Sequence, residues 1–230
     1  MNMIFKAMML ASAPAMALAV VPASAQVAGV ATVNTTVAIA RSKALMPAYK
    51  QIETTYASYI TQMQTKRQEM NTLLAQLDKN GDKQVDQAEM DAAQASKNPV
   101  LTQVDAKEKE ISTLQQPIIK AQVYVIDQIV DKYEAAQRAV VTAKKLNYIL
   151  TPDAFAWAPP AIDVTDAITA ELDKALPTAN TTPPADWKPD QQTVSVYQQV
   201  QQLLSAAAQA QAARAQQAAP AAGGQQPTGR

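Results

Sequence analysis

The chain has 230 residues, with 20 Lys+Arg against 20 Asp+Glu, five glycines, no histidine and no cysteine. Lacking histidine removes the usual general base, the usual zinc ligand and every nucleophile-histidine arrangement, and so few glycines leave no phosphate-cradling loop, so an enzyme is not expected. No disulfide can hold the fold, and a near-neutral balance without a basic stripe argues against nucleic acid as a partner.

The first 25 residues, MNMIFKAMMLASAPAMALAVVPASA, carry one early lysine, an apolar run and the small-residue triplet Ala23-Ser24-Ala25. They read as a secretory signal peptide spanning 1–25 and cleaved after Ala25. A membrane anchor fits less well, because the run is short, is broken by Pro14 and Pro22, and ends in a cleavage-type triplet. Removing Lys6 with this leader leaves 19 basic and 20 acidic residues in the mature chain. No later segment reaches the ~20 uninterrupted apolar residues that a spanning helix needs, so the mature protein is expected outside the cytoplasm with no integral membrane segment.

Residues 27–39, VAGVATVNTTVAI, are rich in Val and Thr and read as a β-type segment. From Leu45 the apolar positions run Leu45, Tyr49, Ile52, Tyr56, Tyr59, Met63, Met70, Leu73 and Leu77. They alternate by three and four residues with only Lys66 interrupting, which is a heptad seam. No glycine or proline falls between Ala48 and Asn80, so one helix of about 30 residues and ~50 Å is predicted.

The stretch 78–89, DKNGDKQVDQAE, has the spacing of a calcium loop: Asp78, Asn80, Asp82, the Gln84 carbonyl, Asp86 and Glu89 stand at the six oxygen-ligand positions. The sixth position, where the chain turns with φ > 0 and glycine is usual, holds Lys83. The same residue types also make a metal-free acidic turn and helix cap, so Ca²⁺ is a candidate ion, and no cofactor is required for the fold.

A short helix follows over Asp86–Ser96, Lys97-Asn98-Pro99 breaks it, and a second long helix is predicted from about Val100 to Leu146, with Val104, Ile111, Leu114, Ile118, Val125 and Ile129 on its seam. Pro117 interrupts that helix and removes one backbone hydrogen bond. Before the proline the helix is charged and sparse in apolar groups, whereas 123–133, VYVIDQIVDKY, is dense in them, so the distal arm should be exposed and the proximal end buried. The two long helices can fold back as an antiparallel hairpin.

Beyond the arm, 148–158 (YILTPDAFAWA) reads as a second pair of short strands around a Thr151-Pro152-Asp153 turn. Residues 163–176 read as an amphipathic helix capped by Asp163 or Thr165, with Ile168, Leu172 and Leu176 on one face and Pro177 past its end. A proline-rich linker, 183-PPADWKP-189, precedes a Gln/Ala-rich stretch in which Val196, Val200, Leu203 and Ala207 form a weak helical stripe. Composition marks 178–230 as a largely disordered tail.

The order of parts, with 32-TVNTTVAI-39 leading into a long helical hairpin and 149-ILTPDAFAWAPPAIDVTDAITAELDKAL-176 returning from it, resembles the Skp/OmpH family of periplasmic chaperones. The resemblance covers about residues 27 to 177. It implies an α+β fold that is mainly α: a long antiparallel coiled-coil hairpin, 44–145, on a small β-rich body, 26–43 with 146–177, that makes the protein a homotrimer. It also implies a periplasmic holdase whose partners are unfolded outer-membrane β-barrel proteins. Tyr56, Tyr59, Met63 and Met70 are the candidate contacts with such a chain, because Met and Tyr offer adaptable apolar surface; their place on the seam equally suits hairpin packing. Two departures stand out: family arms are strongly basic where this chain is near neutral, and neither the 78–89 loop nor the long tail belongs to the family pattern. Calcium binding and a purely structural coiled coil in the envelope are the competing readings.

Overall fold

The computed structural model describes residues 29–218; the leader over 1–25 and the tail end from 219 lie outside the described residues. The chain enters at Gly29, whose φ of 82° suits glycine and whose missing side chain makes room for Asn147. Strand β1, Val30–Thr32, pairs in parallel with β2, Tyr148–Leu150, with Val30 opposite Tyr148 and Thr32 opposite Leu150. Parallel neighbours need a crossover, and here the crossover is the entire helical arm.

Two strand expectations are corrected. The strand read over 27–39 stops at Thr32, because the Asn34 side chain accepts from the Val37 N–H at 3.0 Å and starts helix α1, Thr35–Ala40. That cap, with burial of Ala38, Ile39 and Ala40, outweighs the β preference of Val and Thr. No strand follows β2 over 154–158 either: Pro152 and Pro160 each open a 3₁₀ turn, at Pro152–Ala154 and Pro160–Ile162. Among the described residues the body is thus helical around two three-residue strands, and not β-rich.

The first long helix is also split. Helix α2, Leu45–Thr55, ends at Tyr56, whose φ of −102° and ψ of 20° leave the helical region, and α3, Ala57–Leu74, resumes at once. The adjacent β-branched Thr54 and Thr55 weaken the helix at that point. Helix α4, Gln87–Ala95, follows the acidic loop, and Asn98 then caps α5, Pro99–Lys144, 46 residues long and ~69 Å at 1.5 Å per residue. Lys145, with φ 53°, ends it. Lys66 of α3 pairs with Glu110 of α5, and Glu69 with Lys107, so the two helices run in opposite directions.

Burial along α5 follows its composition. Ile118, Ala121, Val125, Ile126, Ile129, Ala136 and Val140 lie in the main core with Ile39, Leu45, Ile52, Ile168 and Leu172, whereas Val100 and Val104 join Leu77 and Ala93 in a separate small cluster at the tip. Helix α6, Thr165–Ala175, packs Ile168 and Leu172 onto α5 and α1. Asp163 accepts from the Thr165 N–H at 2.8 Å, and Thr165 Oγ1 accepts from the Asn34 N–H at 3.0 Å, joining the starts of α6 and α1.

The tail expectation is corrected most. Residues Gln191–Ala218 form helix α7, and Thr193 and Val200 are buried against α1 and α5. Val196, Val200 and Leu203 of the weak stripe take part in this packing, while Ala207 is exposed. Apolar anchors spaced for a helix, and an Asp190 side chain that accepts from the Thr193 N–H at 2.5 Å, outweigh the low-complexity composition.

The depth of the α5 core is directly measurable. Ile126→Ala, at a fully buried position, should cost about 2–5 kcal/mol in urea unfolding, while Lys109→Ala on the exposed arm should stay within about 0.5 kcal/mol.

Candidate functional site

The four aromatic and methionine side chains singled out from the seam separate into interior and exterior. Met63 is 7% exposed and belongs to the main core, and Met70 is half-buried against the tip cluster. Tyr56 packs partly against the core, and Tyr59, 37% exposed, lies beside it with ring centroids 5.7 Å apart. Of the four, then, Tyr59 is the most exposed. Sequence reasoning missed other exposed apolar groups: Met46, Tyr148, Leu150 and, most open of all, Trp157 at 79%. The alternation of Tyr148 and Leu150 on one short strand was the available signal.

Midway along the arm, four charges replace apolar packing. Lys66 Nζ lies 2.9 Å from Glu110 and 3.4 Å from Glu69, and Lys107 Nζ lies 2.8 Å from Glu69 and 3.5 Å from Glu110. The Lys107 ammonium holds the Glu69 carboxyl below its usual range, and Lys66 does the same for Glu110. Glu110 in turn pushes Lys66 upward. Each ammonium bridges both carboxylates, so the network fixes the register of α3 on α5 where few apolar groups can.

At the tip, the acidic loop is closed by its own backbone. Asp78 accepts from the N–H groups of Gly81 at 2.6 Å and Lys83 at 2.9 Å; Asn80 accepts from Asp82, and Asp82 from Gln84, both at 2.8 Å. Gly81 and Lys83 have φ of 80° and 67°, so the turn at the sixth position is made although no glycine stands there. Glu89 accepts from the N–H groups of Lys79 at 2.6 Å, Asn80 at 3.0 Å and Asp86 at 3.2 Å, and Asp86 accepts from the Glu89 N–H at 2.8 Å in a capping box. The donors from Lys79 and Asn80 hold the Glu89 carboxyl below its ordinary range.

Among the described residues no three acidic side chains gather into a group able to hold a metal ion. The residues read from the spacing as ligands, Asp78, Asn80, Asp82, Asp86 and Glu89, each accept from backbone N–H groups within the loop. The second reading of the stretch, an acidic turn with a helix cap, describes this geometry.

Compared with known proteins, the chain matches a family model described as outer membrane protein (OmpH-like) over residues 29–172. No curated protein matches it. A crystal structure provisionally described as an OmpH-like outer membrane chaperone from Caulobacter crescentus is 19% identical, with the match covering 71% of this chain and 92% of that one at a TM-score of 0.43.

Two outcomes follow for the arm and tip. Lys83→Gly removes a side chain from a left-handed backbone position and should stabilise the tip by about 1 kcal/mol, read as slower amide exchange over 77–95 with the body unchanged. Folding lowers the pKa of Glu69, Glu89 and Glu110, so their contribution is whole above the ordinary glutamate range and is lost as pH falls through the lowered native values. In an acid titration followed by residue-resolved NMR, the arm and tip should therefore open below about pH 4, ahead of the body.

Proposed function

The chain belongs to the OmpH-like outer membrane protein family, and on that premise we propose that it is a periplasmic holdase, working without ATP, that binds unfolded outer-membrane β-barrel proteins and prevents their aggregation. The observation that carries this reading is the family match over 29–172, which takes in β1, the whole arm, β2 and most of α6. Family membership brings no catalytic role, and no helix among the described residues is long and apolar enough to cross a membrane.

The chemistry of the client makes such a holder useful. A strand of an outer-membrane barrel alternates lipid-facing apolar residues with polar ones, and in water those apolar residues drive association. An arm with sparse apolar groups such as Tyr59 and a charged middle offers many weak contacts and no shaped pocket. Binding lowers the free concentration of the unfolded chain by mass action, which needs no nucleotide. The mature chain is near neutral, so it draws clients by contact and little by long-range steering.

Homotrimer formation is part of the proposal. Two three-residue strands cannot stand as an independent sheet, and Tyr148, Leu150 and Trp157 are apolar groups left open on the body. We assign these groups to contacts between copies, with three hairpins packed as coiled coils enclosing the client.

The deciding experiment dilutes a urea-unfolded outer-membrane β-barrel protein into buffer with the purified mature chain and no nucleotide. Light scattering should be suppressed at near-stoichiometric trimer; aggregation unchanged at every ratio would leave a structural spacer of the envelope as the better reading. Sedimentation should give a trimer at micromolar concentration, and Tyr148→Asp should dissociate it with helix content retained. A folded wild-type monomer would remove the assembly.

A further inference from the structure

The segment after α6 lies outside the family match, yet it is fastened to the body by a set of contacts with a common limit. Trp187 sets its ring edge-on to Tyr124 at 5.0 Å and donates its Nε1–H to Asp127 at 3.0 Å; the Thr193 hydroxyl donates to the other Asp127 oxygen at 2.9 Å. Gln128 makes a reciprocal pair with the Asn180 backbone, donating at 2.8 Å and accepting at 2.9 Å. Further along α7, the Tyr197 hydroxyl donates to Gln122 at 2.9 Å, and Gln201 donates to the Tyr49 hydroxyl of α2 at 3.3 Å. Every α5 residue holding this segment through a side-chain hydrogen bond lies at or beyond Lys120, on the body side of Pro117.

The two arm helices are weakened just past that limit, and at one level. Pro117 has no N–H to give the Thr113 carbonyl. On the other helix, the break between α2 and α3 falls at Tyr56. The Lys66–Glu110 and Glu69–Lys107 pairs set the register; followed seven residues toward the body, it places Pro117 opposite Tyr59, within one turn of Tyr56. A lone weak point in a two-helix arm is splinted by its intact neighbour, but weak points at the same level are not.

We propose that residues 180–204 are an intramolecular clamp that binds the root of the arm rigidly to the body and confines bending to the level of Tyr56 and Pro117. The clamp crosses from α5 to α2 and α1, where the Thr36 hydroxyl donates to Gln199 at 2.9 Å, so it ties together three helices that converge below the level of Tyr56 and Pro117. Above that level its side-chain hydrogen bonds stop, and α3 and α5 are left to each other. From Ser205 to Gln217 the helix is exposed and adds nothing to the grip.

The test uses the full mature chain, with amide exchange read along α5 and spin labels at Gln76 on the tip and Lys174 on the body, diluted into unlabelled protein. In the wild type, residues 120–134 should exchange at least tenfold more slowly than 105–116. Trp187→Ala should raise exchange over 120–134 at least tenfold, leave 105–116 unchanged and broaden the tip-to-body distances. Thr193→Val removes one donor to Asp127 at nearly constant volume, so it keeps the fold and should move the same region by a smaller factor. An unchanged 120–134 region in both variants would overturn the clamp, as would an even rise along the whole of α5, which would mark a general loss of stability.

Discussion

The body side of α5 is the surface on which the rest of the body is laid. Between Ile118 and Val140 its apolar side chains meet α1 and α6, the root of α2 and the start of α7. Burial of roughly 25 cal/mol for each Å² of apolar surface on one helix means that partners laid on it are stabilised together or lost together. The strands contribute little of this. Their pairing positions the ends of the arm, while α5 supplies the cohesion.

The same helix changes character along its length, and the change divides two kinds of stabilisation. Near the body, α5 is held by close packing that excludes water. Between Pro117 and the tip, half-buried Ile111 and Leu114 and the four-charge network hold it to α3. Ion pairs at such exposure contribute little each and are screened by salt. They do constrain register, because an α3 shifted by one turn would set like charges together. A long arm can in this way remain defined in alignment while staying only marginally stable, which suits a surface that must accept contacts without a fixed shape.

Much of this was readable from the residues, and the misses have physical causes. The hairpin, the short helix after the loop, the interruption at Lys97-Asn98-Pro99, and the contrast across Pro117 follow from periodicity and breaker positions, which are local signals. The break at Tyr56 carries no glycine or proline and shows only as two adjacent threonines. Helix α1 was hidden because Val37 and Ile39 favour strands, and only the Asn34 cap and a buried face decide otherwise. At the tip, the spacing marks a run of oxygen-bearing side chains, but the backbone N–H groups they accept from are not legible in it. Composition misjudged the tail, since a few anchors such as Trp187, Thr193 and Val200 suffice to dock a segment of Ala and Gln.

The parallel pairing of β1 with β2 also has a kinetic side. Val30 finds its partner only when Tyr148 is available, and the arm must be made before either can be placed. Contacts so far apart in the chain carry a large loop-closure cost, which is repaid only if the intervening helices have already shortened the path between their ends. The hairpin does this by returning α5 to the start of α2. Strand β1, although synthesised early, is therefore among the last elements to be seated, and until then it waits as an unpaired edge. For a chain of this kind, the order of assembly runs from the middle outward.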